Sequence, residues 1–395
     1  MLAFSSRVPS TLRPNRLTRT LDRLQAEGVQ YADLTESNPT RVGFAYPSGL
    51  LEPLASRRGM TYEPAALGLS GAREAVAAAL RRRDLPADAR RVVVTASTSD
   101  AYSMLFKLLC DAGHEVAVPR PSYPLFEYLT RLDAVRQVPY PLEFHGRWSI
   151  NQTELRQSVT SRSRAIILVN PNNPTGSFVS GDDLETVIEL CHERDLALIA
   201  DEVFGWYPVT HGERKRGPSV LDRPAKVLTF VLGGLSKGVG MPQLKFGWIV
   251  VAGPETAVEA ALARLELIGD TYLGVSSPVQ LAAPALFERG AVVTSQIADR
   301  IRTNTRCLSV VAADYPAATV LPVEGGWSAV VQVPRLRSEE RLVVELLERE
   351  RVLVHPGYFF DFPREAFLVL SLLVDPASFE PAVRRVLSTA VSTPA

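Results

Sequence analysis

The sequence predicts an α/β protein in which a mostly parallel sheet lies between layers of helices. Two observations support this fold class. Short apolar runs alternate with helix-like patterns through the middle of the chain, which is typical of a parallel sheet. The glycine-rich and polar segments come directly after these runs, at the strand ends where ligands of such sheets bind.

The predicted strands follow one another at intervals long enough for a helix. They are the runs 91–95, 115–119, 165–169, 196–200, 227–232 and 246–252. Two helices are predicted between them, one over residues 99–109. The other begins after Ser180, whose hydroxyl can cap a helix, and Asp183 suits its first turn. Apolar residues then recur at helical spacing from Leu184 to Cys191.

Both ends of the chain differ from its middle and predict a second, smaller α+β domain. Its expected elements are a helix at 17–25, a long helix from about Ser295, a helix at 338–351 and strand-like segments at 327–333 and 366–374. We therefore predict a large domain of residues 46–290. The small domain is discontinuous and contains residues 1–45 and 291–395.

The composition indicates a globular protein that acts on a small molecule. Among its 395 residues, 43 basic side chains balance 43 acidic ones, which argues against nucleic acid or an anionic membrane as partner. Cys110, Cys191 and Cys307 have neither metal-ligand nor disulfide spacing. No apolar stretch has the length of a signal peptide or a membrane span. We expect a cytoplasmic protein without a bound metal.

A glycine-rich segment from Gly233 to Pro242 follows one predicted strand and contains Lys237. The chain has only five lysines, so a lysine at this place is informative. A buried lysine can lose its proton and act as a nucleophile, whereas an arginine cannot. Taken alone, the segment is equally compatible with a loop that carries a solvated lysine.

Two more polar segments follow predicted strands. Residues 170–176 (NPNNPTG) form a rigid turn whose asparagine can direct an amide into a cleft, although a simple β-turn has the same pattern. Asp201 ends an apolar run, and a buried carboxylate needs a cationic partner. A pyridinium nitrogen is one such partner; the alternative is an aspartate that caps a helix.

In this order and at these spacings, the three segments resemble the fold type I, class I/II aminotransferases, which depend on pyridoxal 5′-phosphate (PLP). The resemblance extends from about Asp33 to Leu373. It implies a homodimer with active sites at the subunit interface and a biosynthetic role. The implied reaction moves an amino group between an amino acid or amine and an oxo acceptor through a Schiff base on Lys237.

The resemblance also implies the residues that hold the ring of the cofactor. Lys237 forms the Schiff base and later moves the proton, Asp201 pairs with the ring nitrogen, and Asn173 donates to the ring oxygen. Tyr123 matches an aromatic residue that stacks on the ring; a tyrosine packed between two prolines is the alternative.

The implied phosphate site lies at the start of the helix that follows the first strand. Ser97, Thr98 and Ser99 offer hydroxyl and N–H groups there. Ser236 and Lys245 belong to the same implied site, and Tyr62 matches a tyrosine that reaches the phosphate of the neighbouring subunit. These residues are Ser97, Thr98, Ser99, Ser236, Lys245 and Tyr62.

The chain departs from the family pattern at four positions. Gly234 replaces a serine, Lys245 replaces an arginine that clamps the phosphate, and Phe204 replaces a tyrosine that donates to the ring oxygen. Val369 stands where the family has the arginine for the substrate carboxylate. Either the substrate has no α-carboxylate, or a residue such as Arg41, with Asn38 in the same segment, takes over.

Other functions remain open at this point. The fold supports lyase, decarboxylase, γ-replacement and racemase reactions as well as transamination. A non-catalytic PLP-binding protein is a third possibility, and Arg41 could be an ordinary surface arginine. Transamination is our leading hypothesis.

Overall fold

The computed structural model describes residues 4–209, 216–224, 226–272 and 274–393. The strands are β1 (Ala32–Asp33), β2 (Val92–Thr95), β3 (Glu115–Arg120), β4 (Arg136–Phe144), β5 (Trp148–Ile150), β6 (Ser163–Val169), β7 (Ala197–Asp201), β8 (Thr229–Gly234), β9 (Gly247–Ala252), β10 (Thr319–Val320), β11 (Ser328–Gln332), β12 (Val352–Leu353), β13 (His355–Pro356) and β14 (Phe367–Ser371). The helices are α1 (Arg16–Ala26), α2 (Ser70–Arg81), α3 (Thr98–Leu109), α4 (Phe126–Leu132), α5 (Gln152–Ser158), α6 (Gly181–Arg194), α7 (Leu235–Gly238), α8 (Glu255–Tyr272), α9 (Ser277–Ala312), α10 (Glu339–Glu348) and α11 (Pro376–Val391).

A large sheet of eight strands has the order β2-β9-β8-β7-β6-β3-β4-β5. Strands β8, β7, β6, β3 and β4 are parallel neighbours, while β9 and β5 pair antiparallel. Both faces of this sheet are covered, since alternate residues of a strand pack into different clusters. In β6, Ile166 belongs to one cluster and Ile167 to the other. The expected α/β class with a mostly parallel sheet is confirmed.

The register of the large sheet brings several chain segments together at one edge. Gly247, which begins β9, pairs with both Gly234 at the end of β8 and Thr95 at the end of β2. The residues that follow Thr95 and Gly234, and those that precede Gly247, therefore meet. Asp201, at the end of β7, lies level with Leu232 of β8.

A smaller antiparallel sheet has the order β10-β11-β14-β13. Its outer layer contains α10 and α11, which pack with the sheet in a separate apolar cluster. The buried carboxylate of Glu339, in α10, accepts N–H groups of Tyr358, Ala366 and Phe367 at 2.7–3.0 Å. Glu339 thus links α10 to both ends of the loop that precedes β14.

Two details of the sequence-based prediction differ from the structure. The long helix α9 begins at Ser277 rather than near Ser295. Pro284 lies inside it, and an internal proline weakens the sequence pattern of a helix. Strand β4 was not predicted because it contains Pro139 and Pro141, which argue against a strand. The boundary proposed at residues 290 and 291 falls within α9, and the two-domain division stays a prediction.

Candidate active site

A cavity of about 410 Å³ opens between the strand ends of the large sheet and the face of the small sheet. Most residues that the sequence proposed for cofactor binding line it. They are Ser97, Thr98, Ser99, Tyr123, Asn173, Asp201, Phe204, Ser236, Lys237 and Lys245. The small sheet contributes Ser328, His355, Val369 and Ser371, and the residue before β11 is Trp327.

Lys237 projects from α7, directly after β8. Its Nζ lies 4.6 Å from the ring centre of Trp327 and 5.4 Å from that of Phe204. Burial lowers the pKa of its amine to about 8, although the nearby carboxylate of Asp201 opposes this shift. A larger fraction of the amine is therefore neutral, and nucleophilic, near neutral pH than for an exposed lysine.

The backbone of the Lys237 segment is fixed by side chains from three distant parts of the chain. The Tyr207 hydroxyl donates to the carbonyl oxygen of Lys237 at 2.5 Å. Thr294, in α9, donates to the carbonyl of Gly238 at 2.7 Å, and Tyr46 donates to that of Gly240 at 2.6 Å. The backbone from which the Lys237 side chain extends is therefore held in place.

Asp201 is buried at the end of β7, with an exposed fraction of 8%. Its Oδ2 accepts from the Tyr102 hydroxyl at 3.1 Å, and its Oδ1 accepts from the Val203 N–H at 3.1 Å. Burial raises the pKa of its carboxyl to about 6, which the two hydrogen bonds and Lys237 partly oppose. Such a carboxylate gains from a cationic ligand more than an exposed one does.

The N-terminus of α3 faces the cavity through Ser97, Thr98 and Ser99. The Ser97 hydroxyl caps the helix by accepting from the Asp100 N–H at 3.0 Å. Because the helix begins at Thr98, the N–H groups of Thr98 and Ser99 have no partner within it. With the helix dipole and the ammonium group of Lys245, they form an environment that suits an anion.

Tyr123 and Asn173 lie elsewhere on the cavity wall. The ring of Tyr123 meets that of Phe126 edge to face at 6.1 Å, and burial raises the pKa of its hydroxyl. The Asn173 Oδ1 accepts from the Ser328 hydroxyl at 3.5 Å, so the amide nitrogen is left to donate to a ligand. Phe204 lines the same wall and has no hydroxyl to donate.

Three proposed residues do not line this cavity. Tyr62 is 69% exposed and lines a neighbouring cleft with Asp100 and Tyr272. The Asn38 side chain accepts from the N–H and hydroxyl of Thr40, which closes a local turn. Arg41 is exposed. In that segment, Thr35 and Ser37 line the cavity instead.

Several residues of the site were not identified from the sequence. Tyr102 and Tyr207 act through single hydrogen bonds from distant positions, and only the folded chain brings them to Asp201 and Lys237. Trp327 follows Gly325 and Gly326 directly before a strand, and that pattern was a usable signal. His355 carries no sequence signal of its own, because the small-sheet register places it at the cavity.

The chemistry of the cavity fits PLP. The cofactor has a phosphate, a basic nitrogen in its pyridine ring, a phenolic oxygen attached to that ring, and an aldehyde. The cavity offers an anion environment at α3, the buried carboxylate of Asp201, the free amide of Asn173 and the amine of Lys237. Each functional group of the cofactor thus has a counterpart of suitable charge or hydrogen-bonding character.

Comparison with known proteins gives the same result. Residues 53–386 match the family model described as aminotransferase class I and II. A glutamate-pyruvate aminotransferase AlaA of Haemophilus influenzae is 26% identical, covering 86% of this chain and 85% of the relative. The alanine aminotransferase of Mycobacterium tuberculosis is 25% identical, covering 94% and 88%.

Solved structures share the fold. An aminotransferase from Escherichia coli superposes with a TM-score of 0.84 at 22% identity, over 98% of each chain. The alanine aminotransferase from Pyrococcus furiosus has a TM-score of 0.82 at 22% identity, over 95% of this chain and 99% of its own.

The fold and the family match define a PLP-dependent enzyme that transfers an amino group from an amino donor to an oxo acceptor. The chain belongs to the aminotransferase class I and II family. Lyase, decarboxylase, γ-replacement and racemase reactions are not favoured by these relatives, which are named as aminotransferases. No helix in the described ranges is long and apolar enough to cross a membrane.

Proposed function

We propose that Lys237 is the residue that binds PLP covalently and transfers the proton during transamination. The observation that carries this proposal is the position of the half-buried Lys237 in one cavity with Asp201 and Asn173, where desolvation lowers the pKa of its amine to about 8. Asp201 pairs with the ring nitrogen, Asn173 donates to the ring oxygen, and Tyr123 packs against the ring. When bound, the cofactor supplies a ring that accepts electrons from the substrate carbon that loses its proton.

The phosphate group of PLP binds in the anion environment at the start of α3. Thr98 and Ser99 provide N–H groups, Ser97, Thr98, Ser99 and Ser236 provide hydroxyls, and Lys245 provides the positive charge. Lys245 is exposed and has a left-handed backbone conformation, with φ of 50°. A lysine supplies a positive charge but not the two parallel hydrogen bonds of an arginine. We therefore expect binding of the phosphate to depend strongly on the N-terminus of α3.

The residues around the reactive amine have different roles in the reaction. Lys237 Nζ would first act as nucleophile. Once an amino donor has displaced it, the same nitrogen would accept the proton of the donor carbon and pass it to the cofactor carbon to which Nζ had been bonded. The Tyr207 hydroxyl holds the carbonyl of Lys237, so the amine keeps its position when its bond is exchanged. The Trp327 and Phe204 rings lie beside Nζ, and the burial of the amine lowers its pKa to about 8.

Replacing Lys237 with alanine tests the assignment. The variant should lose the cofactor absorbance that depends on the covalent link, and turnover with it. Borohydride reduction of the wild type, followed by peptide mass spectrometry, should place the reduced cofactor on Lys237. Lys226→Ala is the matched control, because Lys226 is exposed and does not line this cavity. Covalent labelling that persists in the Lys237→Ala variant would contradict the proposal.

We also propose a homodimer in which Tyr62 of each subunit reaches the phosphate of the other. Tyr62 and Tyr272 line one cleft, and Met60 nearby is 88% exposed. Exposed apolar side chains grouped in this way indicate an interface. Asp100, in the first turn of α3, lines the same cleft, so a partner seated there lies close to the phosphate environment.

Hybrid dimers test the role of Tyr62. Subunits with Tyr62→Ala and with Lys237→Ala are mixed, dissociated and reassembled, and turnover is measured at limiting PLP. If Tyr62 acts across the interface, one site of each hybrid is intact, and an equal mixture regains roughly a quarter of the wild-type activity. If Tyr62 acts within its own subunit, the mixture regains nothing. A cytoplasmic location remains a prediction, as do substrate roles for Asn38 and Arg41.

A further inference from the structure

We propose that the amino donor carries a neutral hydrogen-bonding group, such as a hydroxyl, on the carbon next to its amino carbon, and that His355 recognises this group. The inference rests on the proposed function and names its substrate class. The donor and the oxo acceptor exchange an amino group and a hydrogen for an oxo oxygen, so the exchange needs no added oxidant. An amino alcohol and the corresponding hydroxy-carbonyl compound are a donor and product of this class.

The register of the small sheet defines the cavity wall that a substrate meets. Val369 of β14 pairs with His355 of β13 on one side and with Val330 of β11 on the other. Residues directly opposite in an antiparallel sheet present their side chains on the same face. Two positions further along, Ser371 pairs with Ser328, and both line the cavity. On this face of the sheet, Val330, Val369 and His355 therefore form one row across the strands. The hydroxyl groups of Ser328 and Ser371 form the next row.

The apolar row is tightly packed. Val369 is 2% exposed and belongs to a cluster with Val330, Phe360 and Phe367. The His355 ring lies 5.7 Å from the ring of Phe359 and 5.8 Å from that of Phe360. Charged ligand groups lose hydration against such a surface and gain nothing in return.

The charged groups that line the cavity are all used by the cofactor. Among the described residues that line it, Asp201, Lys237 and Lys245 carry full charges, and no arginine is present. In the proposed function, Asp201 takes the ring nitrogen, Lys245 the phosphate, and Lys237 the covalent link. A carboxylate next to the amino carbon would therefore be buried without a free cationic partner among the described residues that line the cavity.

Among the described residues, His355 is a polar group of this wall with unused hydrogen-bonding capacity, and unlike the Trp327 indole it offers an acceptor as well as a donor. In the part of the chain that the structure describes, its side chain makes no hydrogen bond, and its Nδ1 is buried. Burial lowers the pKa of the imidazole, so it is neutral at pH 7 and offers one N–H donor and one acceptor. A hydroxyl satisfies either group, and a neutral site selects it over a carboxylate.

Matched pairs of donors test the inference. The holoenzyme is mixed with L-alanine or L-alaninol, L-leucine or L-leucinol, and L-phenylalanine or L-phenylalaninol, and the second-order rate of the cofactor absorbance change is measured. Within each pair, only the carboxylate is exchanged for a hydroxymethyl group. We expect the alcohol to react at least about tenfold faster. A faster reaction of the acid in any pair, or no reaction with all three alcohols, would overturn the inference.

Variants of His355 separate recognition from a merely structural role. Alaninol is compared with 2-aminopropane, which lacks the hydroxyl, by the ratio of their kcat/KM values. His355→Phe should bring this ratio close to one, and His355→Gln, which keeps a donor and an acceptor, should restore part of it. His145→Gln, an exposed histidine paired with Glu143, is the control. An unchanged ratio in His355→Phe would remove His355 from recognition.

The outcome for the substrate class is distinct from that for the proposed function. If borohydride places no label on Lys237, the proposed function fails, whatever the donors do. If the label is found and acids are preferred, only the inference fails. Loss of that acid preference in Arg41→Ala would then assign the carboxylate to Arg41, which is exposed in this structure.

Discussion

At the scale of single residues, burial brings the pKa values of Asp201 and Lys237 closer together. It raises the pKa of Asp201 to about 6 and lowers that of Lys237 to about 8. Each charge opposes the effect of burial on the other. Near pH 7 the carboxylate is therefore mostly ionised, and the amine is mostly protonated but has a larger neutral fraction than an exposed lysine.

The pKa of Lys237 predicts how cofactor capture depends on pH. The neutral amine attacks the aldehyde, so the rate of covalent capture should rise with pH toward a midpoint near 8 and then level off. Asp201 raises the pKa of Lys237, so Asp201→Asn should move the midpoint to lower pH. Stopped-flow absorbance measures the rate. A midpoint near the ordinary lysine value of 10.5 would contradict burial of the amine.

Tyr102 should contribute to cofactor affinity through Asp201. Removing its hydroxyl by Tyr102→Phe takes one hydrogen bond from the carboxylate, which raises the pKa of Asp201 further and weakens its charge. We expect about tenfold weaker PLP binding, which corresponds to about 1.4 kcal/mol and lies near the upper end of the range for an ordinary hydrogen bond. Fluorescence titration of the apoenzyme measures this change.

Tyr140→Phe is the matched control for Tyr102→Phe. Tyr140 is also fully buried, and its hydroxyl donates to the carbonyl of Ile167 at 2.7 Å rather than to Asp201. Both variants should lower stability, but only Tyr102→Phe should weaken PLP binding. Equal losses of affinity would mean that the effect comes from general destabilisation.

The sequence predicted the residues of the site unevenly. Lys237, Asp201 and Asn173 follow strand ends and carry chemistry that their local sequence reveals, and all three line the cavity. Their roles toward the cofactor stay predictions. Tyr102, Tyr207 and His355 could not be found, because their place in the site depends on helix packing and on strand register between distant segments.

At the scale of elements, the edge formed by β2, β9 and β8 assembles the phosphate environment. Gly247 allows the strands to approach closely, since a Cβ there would lie 2.9 Å from Thr95 Oγ1 and 3.0 Å from the Ser97 carbonyl carbon. Its neighbours Thr95 and Gly234 lead into α3 and α7. One register thus places the helix dipole, Ser236 and Lys245 at the same edge.

Removing the cap of α3 should affect both stability and anion binding. Ser97→Ala removes the hydroxyl that accepts from the Asp100 N–H, with an expected loss of about 1 kcal/mol in unfolding free energy. The helix start should also become less ordered, so affinity for inorganic phosphate in the apoenzyme should fall. Denaturant unfolding and isothermal titration calorimetry measure the two effects.

The cap of α6 provides the control for Ser97→Ala. Ser180 accepts from the Asp183 N–H at 3.1 Å and does not line the cavity. Ser180→Ala should lower stability by a similar amount and leave phosphate affinity unchanged. Unchanged phosphate affinity in Ser97→Ala as well would argue against an anion site at α3.

Elements were predictable where their sequence patterns were regular. The strands of the large-sheet centre were placed to within two residues at most ends, since short buried runs have few alternatives. Strand β4, with two prolines, and the first half of α9, with an internal proline, were not. In both cases tertiary contacts overcome local preference: β4 pairs with β3 along six residues, and α9 packs on α2 and α11.

At the scale of the whole molecule, the cavity depends on both sheets. Asp201 ends a strand of the large sheet and Lys237 follows the end of another, while Ser328, His355 and Ser371 belong to strands of the small sheet. A ligand that contacts both sheets binds the folded protein and not the unfolded chain. Its binding energy therefore adds to the stability of the complete structure.

PLP should accordingly raise the thermal unfolding midpoint. At a free concentration one hundred times the Kd, the added stability is about 2.7 kcal/mol. Lys237→Ala, which keeps the phosphate and Asp201 contacts, should show a smaller shift at the same concentration. Differential scanning calorimetry with and without PLP measures it. An equal shift in wild type and variant would mean that the covalent link adds nothing.

The three hydroxyl groups that hold the carbonyls of Lys237, Gly238 and Gly240 come from residues 207, 294 and 46. The backbone that carries the reactive amine therefore has all three of these hydrogen bonds only when the N-terminal segment, the segment after β7 and α9 have docked. Covalent capture of the coenzyme should therefore follow the docking of these segments. In a newly made chain, the absorbance of the bound cofactor should appear last.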